Sequence, residues 1–144
     1  MFVCGPTVYD LIHIGNARTF VLFDAFAKYL RTQGLSVEYV QNITDVDDKI
    51  ITKARAEHSS AQEVAEQYEK EFMADMQSAG ITGVTRYARA TEHIAQVIDQ
   101  VKRLAETGHA YQTKDGWYFD VKSFKEYGKL SVVQSRWLKT ASLE

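Results

Sequence analysis

Met1-Phe2-Val3-Cys4-Gly5-Pro6, then His13-Ile14-Gly15-Asn16, then Val37-Glu38-Tyr39-Val40-Gln41-Asn42: this stretch decides the fold. Its first four residues form an apolar run stopped by Gly-Pro, the pattern of a buried strand ending at a turn. A loop carries the chain through Thr7, Val8, Tyr9 and Asp10. Beyond His13, Leu22, Phe23, Phe26, Tyr29 and Leu30 fall at i, i+1, i+4, i+7 and i+8. That spacing predicts a helix burying this stripe, with Gly34 as its stop. Residues 37–40 predict a second strand that ends near Gln41-Asn42. Strand, loop, helix and strand in this order build a parallel sheet, so the expected fold class is α/β.

Helices are expected to dominate the rest. Thr44 or Asp45 can cap one that runs to about Ala56. Ser60 with Glu63 forms a capping-box pattern ahead of Val64, Ala65, Tyr68, Phe72 and Met76, with Gly80 as the stop. Thr91 can cap a third helix, whose apolar face is Ile94, Val97, Ile98, Val101, Leu104 and Ala105 and whose stop is Gly108. Residues 110–113 and 117–121 predict a hairpin turning through Lys114-Asp115-Gly116. No internal repeat or low-complexity tract interrupts the chain.

Composition sets the bounds. The 144 residues, 45% hydrophobic, suffice for one domain with a real core and are too apolar for intrinsic disorder. No apolar run reaches the ~18–20 residues that span a bilayer, so no membrane partner is expected. A single cysteine excludes an internal disulfide. A net charge of −2 argues against a chain built to coat nucleic acid. With no charged-then-apolar leader at its start, a cytoplasmic location is expected.

Three places can carry chemistry. In open α/β sheets, ligands sit at the carboxyl ends of strands, where a helix N-terminus offers unpaired N–H groups to an anion. His13 and Asn16 stand at such a helix start, and Gly15 between them lets a ligand approach the backbone. Neither a G-x-x-x-x-G-K-[ST] nor a G-x-G-x-x-G motif is present. On these residues alone, helix capping and phosphate cradling explain the pattern equally well. Cys4 reads as a small buried hydrophobe or, from its place at a strand end, as a crevice ligand. A zinc site needs about three further donors, and His58, His93 and His109 lack ligand-like spacing to it. The third place is Asn42-Ile43-Thr44-Asp45-Val46-Asp47-Asp48-Lys49 at the end of the second strand. There Thr44, and next to it Asp45, are placed to reach a ligand. Asp47 and Asp48 are assigned to the positive end of a helix rather than to magnesium.

Three blocks in order carry a family resemblance: residues 2–10, residues 13–19 (His13-Ile14-Gly15-Asn16-Ala17-Arg18-Thr19) and residues 39–50. It continues through Arg89-Ala90-Thr91-Glu92-His93-Ile94, Gly108-His109-Ala110-Tyr111 and Tyr127-Gly128-Lys129-Leu130-Ser131, weakening after that. Together they resemble cysteinyl-tRNA synthetases, which are class I aminoacyl-tRNA synthetases. The resemblance implies an incomplete Rossmann-like (HUP-type) nucleotide-binding fold. Residues 1–109 would be the first half of the catalytic domain and residues 110–144 the start of its connective insertion. The implied reaction activates L-cysteine with ATP, taken with magnesium, to cysteinyl-adenylate and transfers it to tRNA(Cys). In that family the position of Cys4 is one zinc ligand, and a soft thiolate on zinc separates cysteine from serine. Gly5, Thr7 and Thr44 would surround the bound cysteine. His13, Gly15 and Asn16 match the HIGH signature that binds ATP, with His13 and Asn16 catalytic. Asn16 departs from the usual fourth-place histidine but still donates a hydrogen bond.

The family's other zinc ligands and its KMSKS loop have no counterpart here, since Lys139-Thr140-Ala141-Ser142 is no match. The chain is therefore expected to be a fragment, cut before Met1 and after Glu144 and inactive alone, with Leu143-Glu144 as a vector scar. Its open sheet edge is expected to drive self-association. Two other readings remain at this point: a mycothiol-pathway ligase that activates cysteine, and a short paralogue acting as a non-catalytic nucleotide-binding or interaction module.

Overall fold

The computed structural model describes residues 1–129. They fall into two units, Met1–Ile94 and a second beginning at Ala95. The first contains β1 (Phe2–Val3), α1 (Ile14–Thr32), β2 (Val40–Ile43), α2 (Asp48–Glu57), α3 (Ala61–Ser78) and β3 (Arg86–Arg89), then a 3₁₀ turn at Ala90–His93. Its sheet has the order β1-β2-β3 with both pairings parallel: Phe2 lies opposite Val40, and Gln41 opposite Tyr87. Parallel strands joined through helices are the α/β arrangement expected from the first 42 residues.

The core lies between this sheet and its helices. One cluster joins Val8, Phe20, Ile43, Ile50, Val64, Phe72 and Met76; a second joins Val3, Ala27 and Tyr39. α3 buries Val64, Ala65, Phe72 and Met76, as its spacing predicts, behind a complete capping box. The Glu63 N–H donates to Ser60 Oγ at 3.2 Å, and the Ser60 N–H donates to Glu63 Oε2 at 2.8 Å. In β2 the fully buried Gln41 amide finds no hydrogen-bond partner among the described residues. Leaving such a group unsatisfied costs about 1–3 kcal/mol.

Several expectations need correction. α1 has the predicted ends, but most of the stripe assigned to its core faces outward: Leu22 is 64% exposed and Tyr29 59%, while Phe23 packs half-buried against the Val3, Ala27 and Tyr39 cluster. The helix buries Phe20, Asp24 and Ala27 instead. α1 is apolar on two opposite faces, and periodicity alone does not say which one meets the sheet. Asp24 helps decide it, because its carboxylate accepts the Thr82 and Gly83 N–H groups. β2 starts later than predicted. The Tyr39 N–H is held by Thr85 Oγ1 at 2.9 Å, so the backbone ladder begins only at Val40.

α2 is capped by Asp47, whose Oδ1 accepts the Lys49 N–H at 2.9 Å, and not by Thr44 or Asp45. Thr44 still belongs to the parallel pairing, through its bridge to Thr7. Thr91 is not a helix cap either: its N–H and hydroxyl both donate to the Asp45 carboxylate. Finally, β3 is absent from the sequence-based expectation. Arg86-Tyr87-Ala88-Arg89 has neither β-branched residues nor an apolar run, so its strand depends on the ladder β2 offers.

The second unit holds the body of α4 (Ile94–Glu106), β4 (Ala110–Gln112), β5 (Trp117–Phe119) and a 3₁₀ turn at Val121–Ser123. β4 and β5 form the expected antiparallel hairpin, with Tyr111 stacked on Tyr118 at 5.9 Å. Gly116 takes φ +146° at the turn, a conformation that L side chains rarely adopt. No residue of α4 is buried, so its predicted apolar face is not a core face. No described helix is long and apolar enough to cross a membrane. Lys139-Thr140-Ala141-Ser142 and Leu143-Glu144 lie outside the described residues.

Candidate active site

The site begins where β1 ends. Gly5 follows Cys4 in the first turn, and its N–H donates to Asn42 Oδ1 at 2.9 Å. The Asn42 amide then donates to Thr44 Oγ1 at 3.2 Å. The backbone continues the match: Thr44 N–H to the Pro6 carbonyl at 2.9 Å and Val8 N–H to the Thr44 carbonyl at 3.1 Å. Gly5, Thr7 and Thr44 are thus brought together at the carboxyl ends of two parallel strands, through Asn42. Gly5 has a packing reason of its own. A Cβ there would lie 1.8 Å from the Asn42 carbonyl oxygen, so only glycine allows β2 to come this close.

His13 is the N-cap of α1, with extended backbone at φ −83° and ψ 151°. Its Nδ1 accepts the Gly15 N–H at 3.1 Å. An accepting Nδ1 places the proton of the neutral ring on Nε2, which remains a free donor. Capping and ligand binding, alternatives on the sequence alone, are therefore compatible in one ring: one nitrogen serves the helix, and the other has no partner among the described residues. Asn16 gives its backbone N–H to the His13 carbonyl at 2.8 Å, and its exposed side chain has no partner among the described residues.

A cleft of about 330 Å³ is lined by Gly5, Thr7, Tyr9, His13, Asn16 and Lys49, among others. It gathers Gly5, Thr7, His13 and Asn16 of the predicted residues but leaves three out. Gly15, Thr44 and Cys4 do not line it. Cys4 is exposed, and among the described residues its thiol meets only the Gly5 carbonyl, at 3.7 Å. No three His, Cys, Asp or Glu side chains among the described residues are grouped to hold a metal. Cys4 thus supplies a single donor, and a zinc site is not completed within these residues.

Asp45, expected to reach a ligand, is instead committed to Thr91. It borders a separate cavity of about 500 Å³ with Asp47, Glu69 and Arg89, which shares no lining residue with the His13 cleft. In that cavity the Glu69 carboxylate, followed by Glu92, holds the Arg89 guanidinium charged well beyond its ordinary range. Arg89 is thus engaged by two carboxylates rather than free to bind a ligand. Tyr9, Asn42 and Lys49 are the site residues that sequence reasoning did not single out. Lys49 had a signal available: it follows the Asp47 cap by two positions, at the start of a helix emerging from the sheet's ligand-binding edge.

Comparison with known proteins bears on the same residues. The family "tRNA synthetases class I (C) catalytic domain" matches residues 1–143. The chain is 54% identical over 131 residues to the cysteine–tRNA ligase of Thermoplasma acidophilum, covering 91% of this chain. It is 48% identical over 134 residues to that of Thermococcus kodakarensis and 49% identical over 131 residues to that of Clostridioides difficile. The chain spans 28–29% of the length of these relatives.

Proposed function

Because the chain belongs to the class I cysteinyl-tRNA synthetase catalytic-domain family, we propose that it is the nucleotide- and cysteine-binding first part of a cysteine–tRNA ligase. The longer enzyme would convert L-cysteine and ATP-magnesium to cysteinyl-adenylate and pass the cysteinyl group to tRNA(Cys) in the cytoplasm. The observation that carries this reading is the helix start of α1. His13 caps it with Nδ1, leaving Nε2–H and the Asn16 amide to face one cleft together with Gly5 and Thr7. Two neutral donors at the positive end of a 19-residue helix suit an anion, and ATP brings phosphates. Gly15 keeps the helix start open to close approach; even its Cβ would meet only His13 Nδ1, at 3.3 Å.

In the activation step, the cysteine carboxylate oxygen attacks the ATP α-phosphorus and pyrophosphate leaves. His13 Nε2–H and the Asn16 amide stabilise negative charge on the phosphate oxygens as it develops. Gly5, Thr7 and Thr44 form the amino-acid side of the site. The supporting geometry is the Asn42 bridge that fixes Gly5 and Thr44. Cys4 as one zinc ligand is the part of the reading that rests on the family alone; no step is routed through the metal. Residues 1–109 are read as the first half of the catalytic domain and residues 110–144 as the start of a connective insertion.

Cysteine-dependent ATP–pyrophosphate exchange tests the reading in the longer gene product. His13→Ala should lower the exchange rate by ~10²–10³, the usual cost of removing one preorganised donor. The isolated 144-residue chain should show little exchange. A His13→Ala enzyme as fast as the wild type would overturn the assignment.

A further inference from the structure

We propose that Lys49 is the cationic phosphate ligand of the His13 cleft. The proposal rests on reading that cleft as a nucleotide site. A polyphosphate brings several negative charges, whereas a helix N-terminus offers the equivalent of only about half a positive charge. His13 Nε2–H and the Asn16 amide add dipoles but no net charge. Beyond the magnesium that accompanies ATP, a fixed cation would add net charge to the cleft, and Lys49 is the only lysine or arginine among its described lining residues.

Its placement is built rather than incidental. Asp47 caps α2 through the Lys49 N–H, which fixes the point at which the side chain leaves the helix. The ammonium lies 5.3 Å above the Tyr9 ring, and Tyr9 lines the same cleft. An aromatic face positions a cation without neutralising it.

Lys53, one turn further along α2, is the internal contrast. It also sits over a tyrosine, Tyr68, but it is paired with Glu57 at 3.3 Å and lies 3.9 Å from Asp10. Lys49 has no such ion pair among the described residues. Asp10 is the one carboxylate among the described residues bordering the cleft, and its charge is already shared between the Leu11 N–H, at 2.9 Å, and Lys53. The result is a positive charge on α2 that borders the same cleft as His13 and Asn16 at the start of α1, without a carboxylate partner among the described residues.

Inorganic tripolyphosphate, titrated into the 144-residue chain and followed by calorimetry or NMR, is the test. Lys49→Gln should weaken binding about tenfold or more, as expected for a lost charged hydrogen bond, while Lys49→Arg should restore most of it. Lys70→Gln removes the same charge from an exposed position on α3 and should leave binding unchanged. Far-UV circular dichroism of each variant should match the wild type.

If His13→Ala weakens binding and Lys49→Gln does not, the Lys49 role is overturned while the cleft reading stands. If Lys70→Gln weakens binding as much as Lys49→Gln, the effect is one of overall charge and the specific role fails. If the wild type does not bind tripolyphosphate, or His13→Ala binds as well as the wild type, the cleft reading fails and the Lys49 role fails with it.

Discussion

At the scale of single residues, the site depends on groups that do two things at once. His13 was legible as either a cap or a ligand, and the structure shows how one ring can be both: Nδ1 holds the Gly15 N–H while Nε2–H remains free. No pattern in the sequence carries that division, because it depends on the rotamer of one side chain. Gly5 was legible only through family resemblance, as a neighbour of bound cysteine. Its physical constraint is different, since a Cβ would collide with the Asn42 carbonyl oxygen. Gly5→Ala should therefore destabilise the fold itself, by about 1–3 kcal/mol or more, through overpacking against β2. Chemical denaturation of the variant without ligand checks this. An unchanged midpoint would mean that the glycine serves binding alone.

Elements differ in how much of them their own residues determine. α3 was readable from end to end, because its cap, its stripe and its stop are all local. Ser60→Ala should cost about 1 kcal/mol, a typical N-cap loss, measurable by urea denaturation at neutral pH. The capping box also gives a pH dependence. Hydrogen bonds from the Ser60 backbone and then its hydroxyl hold the Glu63 carboxyl below its ordinary value of 4.5. A depressed folded-state pKa means that the stabilising charge is fully present above that ordinary value and is lost as pH falls through the lower, folded one. The stability gap between wild type and Glu63→Gln should therefore be constant near neutrality and narrow below about pH 4.5. A gap that widened in acid would reverse the assignment. β3 lies at the other extreme. Its residues carry no strand signal, and it exists because β2 presents a ladder and because Tyr87 packs edge-on against Phe72 at 6.0 Å.

The molecule as a whole is marked by what it leaves uncovered. Ile14, Val21, Leu22, Phe26 and Tyr29 follow one another along the outward face of α1, and Phe2 on β1 is 66% exposed. Among the described residues β1 is an edge strand, paired on one side only, by β2. A helix that is apolar on opposite faces belongs between two layers, and the relatives are more than three times as long as this chain. In the proposed full-length ligase, further polypeptide would supply the second layer. In the isolated chain a second copy is the available cover, so sedimentation velocity should show concentration-dependent association. Leu22→Glu together with Phe26→Glu should shift the chain towards monomer. A wild type that stays monomeric at high concentration would show that this face tolerates water unaided.

The sequence by itself determined the α/β class, the ends of α1, the whole of α3, the hairpin and the His13-Gly15-Asn16 helix start. These are local facts, fixed by caps, stops and short-range periodicity within a few residues of each other. The tertiary structure alone decided which face of α1 is buried, that Arg86–Arg89 is a strand, that Asp45 is spent on Thr91, and that Lys49 lines the same cleft as His13. Each of these depends on residues far apart in the chain meeting in space. Their energies come from packing and hydrogen bonds that exist only after the sheet has formed.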